Sequence, residues 1–219
     1  MCGRFNLRAT PAELQQFFDM FREPDVTPRY NIAPTQTTLV CRLDEQGERE
    51  LVPLRWGLIP SWSKDLRIGA SLINARSETI TEKPSFRTAF RKRRCLVPAS
   101  GFYEWIREGK QKHPYHIHRQ DDGLFAMAGV WETWRGAESP IESFSIITTS
   151  ANALMRPLHD RMPVILPPEL FEDWLATDAE PEFLTTLLQP YEWPEFETVP
   201  VSDVVNNARN ETPECLQPA

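Results

Sequence analysis

Several features that would point to a familiar chemistry are missing from this sequence. Its four cysteines, Cys2, Cys41, Cys95 and Cys215, are widely spaced and form no CxxC pair. That spacing argues against a disulfide frame or a structural zinc site and fits reduced thiols. Histidines are also few, four in all. His116 and His118 would share one face of a strand, but no cysteine or carboxylate at a recognised zinc spacing accompanies them. With His113 they read as surface-strand residues, and no metal is expected. There is no glycine-rich phosphate loop and no GxSxG elbow. The N-terminus has no apolar signal-peptide core, and no run approaches a membrane span. A soluble, cytoplasmic protein that avoids membranes is expected. Linkers, repeats and low-complexity tracts are absent, which leaves one domain over residues 1–219.

What is present is an ordinary globular composition, 41% hydrophobic and 25% charged, long enough for a sizeable core. Twenty prolines are spread along the chain and imply many turns and shaped loops. The net charge of −7 weighs against coating by nucleic acid over the whole surface. A local basic groove remains open, because charges within a Debye length of about 8–10 Å set the field in a cleft.

Thr10-Pro11 marks a helix start, a hydroxyl N-cap before proline at the first helical position. Leu14, Phe17, Phe18 and Phe21 recur at helical spacing and predict a short packed helix. Residues 23–36 read as irregular, with a shaped loop at Arg29-Tyr30-Asn31-Ile32-Ala33-Pro34. Strands are predicted at 37–43 and 48–56, around the turn Asp44–Gly47. A loop at 57–68 carries Trp62, and a short apolar strand at 70–74 ends in Asn74. Residues 75–94 read as broken helix, interrupted at Pro84 and ending in the charge run Arg91-Lys92-Arg93-Arg94. Such a run is usually a solvated face and could also line a phosphate path. Further strands are predicted at 94–98, 102–106, 114–118, 124–134, 142–148 and 195–201, with the second and third joined by a hairpin at 107–111. Helices are expected at 168–175 and 180–188. The sum is an α+β fold, strand-rich with peripheral short helices, rather than a βαβ series.

Five positions stand out chemically. Removal of Met1 would leave Cys2 with an α-amine of pKa about 7.7–8.0 beside a thiol of about 8.5, both reactive near neutrality. The amine can form an imine with a carbonyl, and the thiol can then close a thiazolidine ring. Glu104 sits among aromatics in Gly101-Phe102-Tyr103-Glu104-Trp105, where desolvation would raise its pKa toward general acid–base work. An edge-strand glutamate facing water is the plain alternative. His159 is flanked by Asp160 and Arg161, as a proton shuttle or as a loop histidine bound to backbone. Asn74 could orient a substrate or an oxyanion, and Arg76 could hold a phosphate.

Six ordered motifs bring these positions together. They are Met1-Cys2-Gly3-Arg4-Phe5, the Arg29–Pro34 loop, Trp56-Gly57-Leu58-Ile59-Pro60, Ile73-Asn74-Ala75-Arg76-Ser77-Glu78-Thr79, Gly101–Trp105 and His159-Asp160-Arg161-Met162-Pro163. In this the chain resembles the SRAP family, the abasic-site processing proteins also called SOS-response-associated peptidases, in its bacterial form. The resemblance implies mixed and antiparallel sheets in a pseudo-barrel. It implies binding of single-stranded DNA containing abasic sites and a covalent thiazolidine cross-link through Cys2, with autopeptidase and lyase-type activities. Residue by residue, it implies Cys2 as nucleophile, Asn74 as orienting amide, Glu104 as general acid–base and His159 as assistant in opening the sugar ring. Arg4, Arg76 and Arg161 match phosphate contacts, and Asn31, Pro34 and Trp62 would line or wedge the DNA path. A basic DNA-contacting position of some relatives falls on Pro84 here, where Lys83 or Arg87 could substitute. No cofactor is implied, and a cytoplasmic monomer, on the nucleoid when bound to DNA, is expected.

Two other classes compete. An N-terminal-nucleophile amidohydrolase would use the thiol on an amide with its own amine as base. A non-catalytic single-strand binding module would use Trp62 and the arginines, and would be indifferent to Cys2→Ala.

Overall fold

The computed structural model describes residues 2–109 and 111–219. Met1, and Lys110 in the predicted hairpin turn, lie outside the described residues. Strand β1 (Phe5–Leu7) precedes helix α1 (Pro11–Phe17). The Thr10 hydroxyl accepts from the Glu13 amide at 3.3 Å, and the Glu13 carboxylate accepts from the Thr10 amide at 2.7 Å. This capping box, with Pro11 behind it, starts the helix where the sequence places it. Asp19 then turns the chain aside at φ 49°. Leu14 and Phe18 are fully buried, whereas Phe21 is 91% exposed. The packed face therefore ends one turn earlier than the spacing suggests.

Next come β2 (Arg29–Ile32), β3 (Thr37–Leu43), β4 (Arg49–Trp56), β5 (Asn74–Arg76), α2 (Arg87–Lys92) and β6 (Arg94–Ala99). The chain continues with β7 (Gly101–Glu108), β8 (Gln111–Arg119), β9 (Phe125–Trp134), β10 (Ile141–Ser150), β11 (Arg161–Pro163) and β12 (Ile165–Leu166). It closes with α3 (Phe171–Leu175), α4 (Pro181–Thr186) and β13 (Phe196–Pro200). One sheet has the order β13-β8-β7-β1-β2. The other runs β11-β10-β4-β3-β6-β9-β12, with β5 on β10. A further pairing of β9 with β10 closes β10-β4-β3-β6-β9 into a barrel. The architecture is the strand-rich α+β pseudo-barrel expected from the resemblance.

Burial explains the closure. All of β6 is buried, and after Arg94 it reads as an unbroken apolar run rather than an alternating one. Phe5, Trp56 and Phe144 fill the space between the sheets, with Phe5 edge-on to Trp56 at 5.1 Å. Each such side chain contributes about 1.5–3 kcal/mol on burial. Half of the charge run is framework. Arg94 is buried and donates to the carbonyls of Phe90, Arg91, Trp174 and Ala176, which caps the ends of α2 and α3. Burial lowers its pKa to about 10. Arg93 pairs with Glu132 at 2.6 Å, and only Arg91 and Lys92 of the run are exposed.

Two expectations shift. The apolar run at 70–74 is not a strand: Leu66–Ser71 is a 3-10 turn, and Asn74 begins β5 instead of ending a strand. The cause is a close crossing of backbones. Gly57 sits at φ 115°, and a Cβ there would lie 2.5 Å from the Gly69 carbonyl. The Arg29–Pro34 loop is in fact edge strand β2 up to Ile32, and its exposed-side amides are taken by the Glu211 carboxylate.

Candidate functional site

Cys2 lies just ahead of β1. Antiparallel pairing of Phe5 with Phe102 sets β1 beside β7, and the Tyr103 amide donates to the Arg4 carbonyl at 2.9 Å. That register carries the N-terminal segment alongside Glu104. On the other side, the Trp56 indole donates to the Ile73 carbonyl at 2.9 Å, fixing the residue before Asn74. Asn74 Nδ2 then donates to the Cys2 carbonyl at 2.9 Å. Among the described residues the Asn74 Oδ1 has no hydrogen-bond partner.

Strand β10 brings in the third side. It pairs with β5 through Thr148↔Arg76 and with β11 through Ser150↔Arg161. His159 stands just before β11, its amide bonded to the Met155 carbonyl at 2.9 Å. Electrostatics joins these pieces. Cys2 is fully buried; burial, and then the charge of Glu104, push its thiol well above the usual thiol range. Burial pushes Glu104 up to about 7, and Asp160 adds to the rise. Cys2, Glu104 and the His159–Asp160 turn thus share one electrostatic neighbourhood.

His159 has two competing partners on Nδ1. The Arg161 amide donates to it at 2.9 Å, while Asp160 Oδ1 lies 2.7 Å away. The first calls for a bare Nδ1, the second for a protonated one. Desolvation lowers the histidine pKa, which favours the neutral ring.

The three arginines differ. Arg76 is exposed and makes no ion pair among the described residues. Arg4 is half-buried, and its Nη1 donates to neutral acceptors, Asn31 Oδ1 at 2.7 Å and the Val205 carbonyl at 3.0 Å. Arg161 is buried, with both terminal nitrogens on the Glu78 carboxylate and one on the Thr148 carbonyl at 2.6 Å. The bond to Arg161 holds the Glu78 carboxyl below its ordinary range. Arg161 is therefore neutralised framework in this structure rather than an open phosphate contact. Asn31 is fully buried, its side chain engaged by Arg4 and by the carbonyls of Val205, Asn207 and Asn210. Trp62 is 59% exposed, and its indole donates to the Pro84 carbonyl at 3.5 Å. Pro34 is half-buried in a turn beside Thr35 at φ 72°.

His116 is not a surface residue. It is buried on the face of Gly101, where a Cβ would lie 1.9 Å from its Nε2, and that nitrogen meets Asn6 Nδ2 at 2.8 Å. Asn6 Nδ2 also reaches the Tyr103 hydroxyl at 3.3 Å, and that hydroxyl donates to the Tyr30 carbonyl. Sequence reasoning missed this brace; the glycine opposite a strand histidine was its one available sign. Trp105 was missed as well: it carries the Arg4 guanidinium 5.7 Å over its ring and donates to Asn206 Oδ1 at 2.6 Å. Among the described residues no cluster of three or more ligating side chains could hold a metal ion.

A buried cysteine segment held by an amide, in one electrostatic neighbourhood with a carboxyl pushed up to about 7 and an imidazole, defines a class: a strand-rich barrel with a candidate site around Cys2. The chain belongs to the SOS response associated peptidase (SRAP) family, whose match covers residues 1–208. It is 44% identical to Abasic site processing protein YoqW of Bacillus subtilis, over 99% of both chains. It is 35% identical to Abasic site processing protein HMCES of Xenopus tropicalis, over 86% of this chain and 65% of that one. A solved structure of a Bacteroides thetaiotaomicron protein superposes with a TM-score of 0.89 at 29% identity, over all of both chains. No helix among the described residues is long and apolar enough to cross a membrane.

Proposed function

We propose that this chain processes abasic sites in single-stranded DNA and that it does so by cross-linking to them through Cys2. The observation that carries the reading is the pairing of a buried Cys2, held through its carbonyl by Asn74, with Glu104 poised to titrate at about 7. The names of the relatives point the same way.

Removal of Met1 exposes the Cys2 amine. That amine attacks C1′ of the ring-opened sugar and forms a carbinolamine. Protonated Glu104 gives its proton to the hydroxyl, which leaves as water, and an iminium remains. The thiol then passes its proton to the Glu104 carboxylate as sulfur bonds to the iminium carbon. Glu104 ends as it began, and the product is a thiazolidine with the net loss of one water. The elevated thiol pKa supports this order, with the amine acting first and the thiol second, and it disfavours a thiolate amidohydrolase. The Oδ1 of Asn74 is suited to a donor on the amine or sugar. His159, favoured as the neutral ring, would serve ring opening. Arg4 and Arg76 would take the flanking phosphates, and Trp62 and Pro34 would shape the strand's path. The chain would act as one domain, as a monomer, on the nucleoid.

The test is a denaturing gel of processed protein with an oligonucleotide bearing one abasic site. Cys2→Ala should abolish the stable adduct while leaving a borohydride-trappable imine. Adduct of full yield with Cys2→Ala would end the reading, and so would no adduct with the processed parent chain.

A further inference from the structure

The C-terminal tail is joined to the site through Arg4. Asn31 is the hub of that link. Its Oδ1 accepts from Arg4, while its Nδ2 lies 2.8–3.3 Å from the carbonyls of Asn210, Asn207 and Val205. The Tyr30 amide donates to Glu211 Oε1, the Asn31 amide donates to the same oxygen at 2.8 Å, and Arg29 pairs with the other carboxylate oxygen. Val205 and Cys215 pack with Tyr103 in a small second core, which fastens the tail against β7. Asn206 and Val205 thus hold Trp105 and Arg4 from the same side. Glu211 and Cys215 lie beyond the family match, which ends at residue 208.

The chemistry of this clamp is selective. Every acceptor on the Arg4 guanidinium is neutral, and Arg4 makes no ion pair among the described residues. The one carboxylate of the clamp, Glu211, is spent on two backbone amides and on Arg29. A carboxylate on Arg4 itself would cancel the charge a phosphate needs, as Glu78 does for Arg161. Neutral acceptors fix direction and leave the charge.

We propose that the tail is a working part of the site, with Asn31 and Glu211 as positioning residues that aim an un-neutralised Arg4 at a DNA phosphate beside Cys2. The inference rests on the proposed single-stranded DNA reading. Glu211→Ala should weaken binding of an undamaged single-stranded oligonucleotide about three- to tenfold, the scale of one charge-assisted contact. It should lower the slope of log affinity against log salt by about 0.7, the value for one phosphate contact on a single strand. Arg4→Ala should do the same, and Arg4→Ala/Glu211→Ala should be no worse than Arg4→Ala alone, because both act through one contact. Glu211→Gln keeps an acceptor for the two amides and should restore most of the loss. Losses that multiply in the double variant would overturn the proposal. So would an unchanged salt slope in Glu211→Ala, or a Glu211→Gln as weak as Glu211→Ala. If the parent chain neither binds DNA nor forms adduct, the functional reading fails first. A parent that forms adduct alongside an Arg4-independent Glu211→Ala sinks only the clamp.

Discussion

At the scale of single residues, Glu104 gives the sharpest test because its environment fixes the sign of a pH effect. Its carboxyl ionises near 4.5 when unperturbed and at about 7 in the fold, chiefly through burial. Between those values the folded state holds a proton that the unfolded state has released. Stability conferred by the neutral carboxyl is full below the lower value and is lost as pH rises toward the upper one. The loss is roughly 3 kcal/mol across that window. Glu104→Gln carries no such titration. Its stability relative to the parent should rise by up to that amount between pH 5 and pH 8, read by denaturant unfolding at each pH. The same variant should slow adduct formation by about 10²–10⁴-fold. A parent and variant whose stabilities run parallel across the range would mean that the carboxyl is ionised at ordinary pH.

The arginines separate at this scale too. Arg76→Gln should leave the melting temperature unchanged and reduce the salt dependence of DNA binding, since the side chain is exposed and makes no ion pair among the described residues. Arg161→Gln should instead destabilise the fold by about 2 kcal/mol. That is less than a fully buried pair would cost, because Glu78 is nearly half exposed. Thermal unfolding and salt titration of both variants distinguish a phosphate contact from a framework pair. Sequence alone gave no way to tell them apart. Arg76 and Arg161 sit in comparable motifs, and only the packing of Glu78 under β10 and β11 decides which charge is already spent.

Among the elements, the loop between β4 and β5 controls where Asn74 stands. Gly57 and Gly69 cross with no room for a side chain, and Gly57 also has a backbone angle that L residues avoid. Gly57→Ala should cost about 3 kcal/mol and displace β5, with loss of adduct formation beyond the loss of stability. Denaturant unfolding beside an adduct time course would check both. Local signals in this chain were readable where they were self-contained. Thr10-Pro11 announces α1, and the turn at Asp44–Gly47 joins β3 to β4 as the alternation suggests. They failed where a distant segment decides the outcome. Strand β2 looks irregular because its prolines flank it and its amides are met by Glu211, far along the chain. Phe21 keeps the helical spacing but falls past the turn at Asp19. His116 looks like surface because the space above Gly101 is invisible in a linear reading.

For the whole molecule, the proposed DNA surface has to work against a net charge of −7. Many cations are internally spent: Arg42, Arg93 and Arg119 on carboxylates, and Arg94 on helix-end carbonyls. Arg4 and Arg76 are not. The proposed DNA face thus keeps Arg4 and Arg76 available, and affinity should fall steeply with salt. The motifs in order were enough to single out the candidate residues, because each chemical group sits within its own short stretch. Their meeting place was not legible, since Cys2, Asn74, Glu104 and His159 converge only when β1 pairs with β7 and β5 and β11 both pair with β10.

The most direct measurement of the central claim is the intact mass of the product formed with an abasic single-stranded oligonucleotide. The account predicts one species, equal to the Met1-free protein plus the DNA less one water, stable without reductant and absent with Cys2→Ala. A product retaining Met1, or an adduct of the same mass and stability with Cys2→Ala, would contradict it.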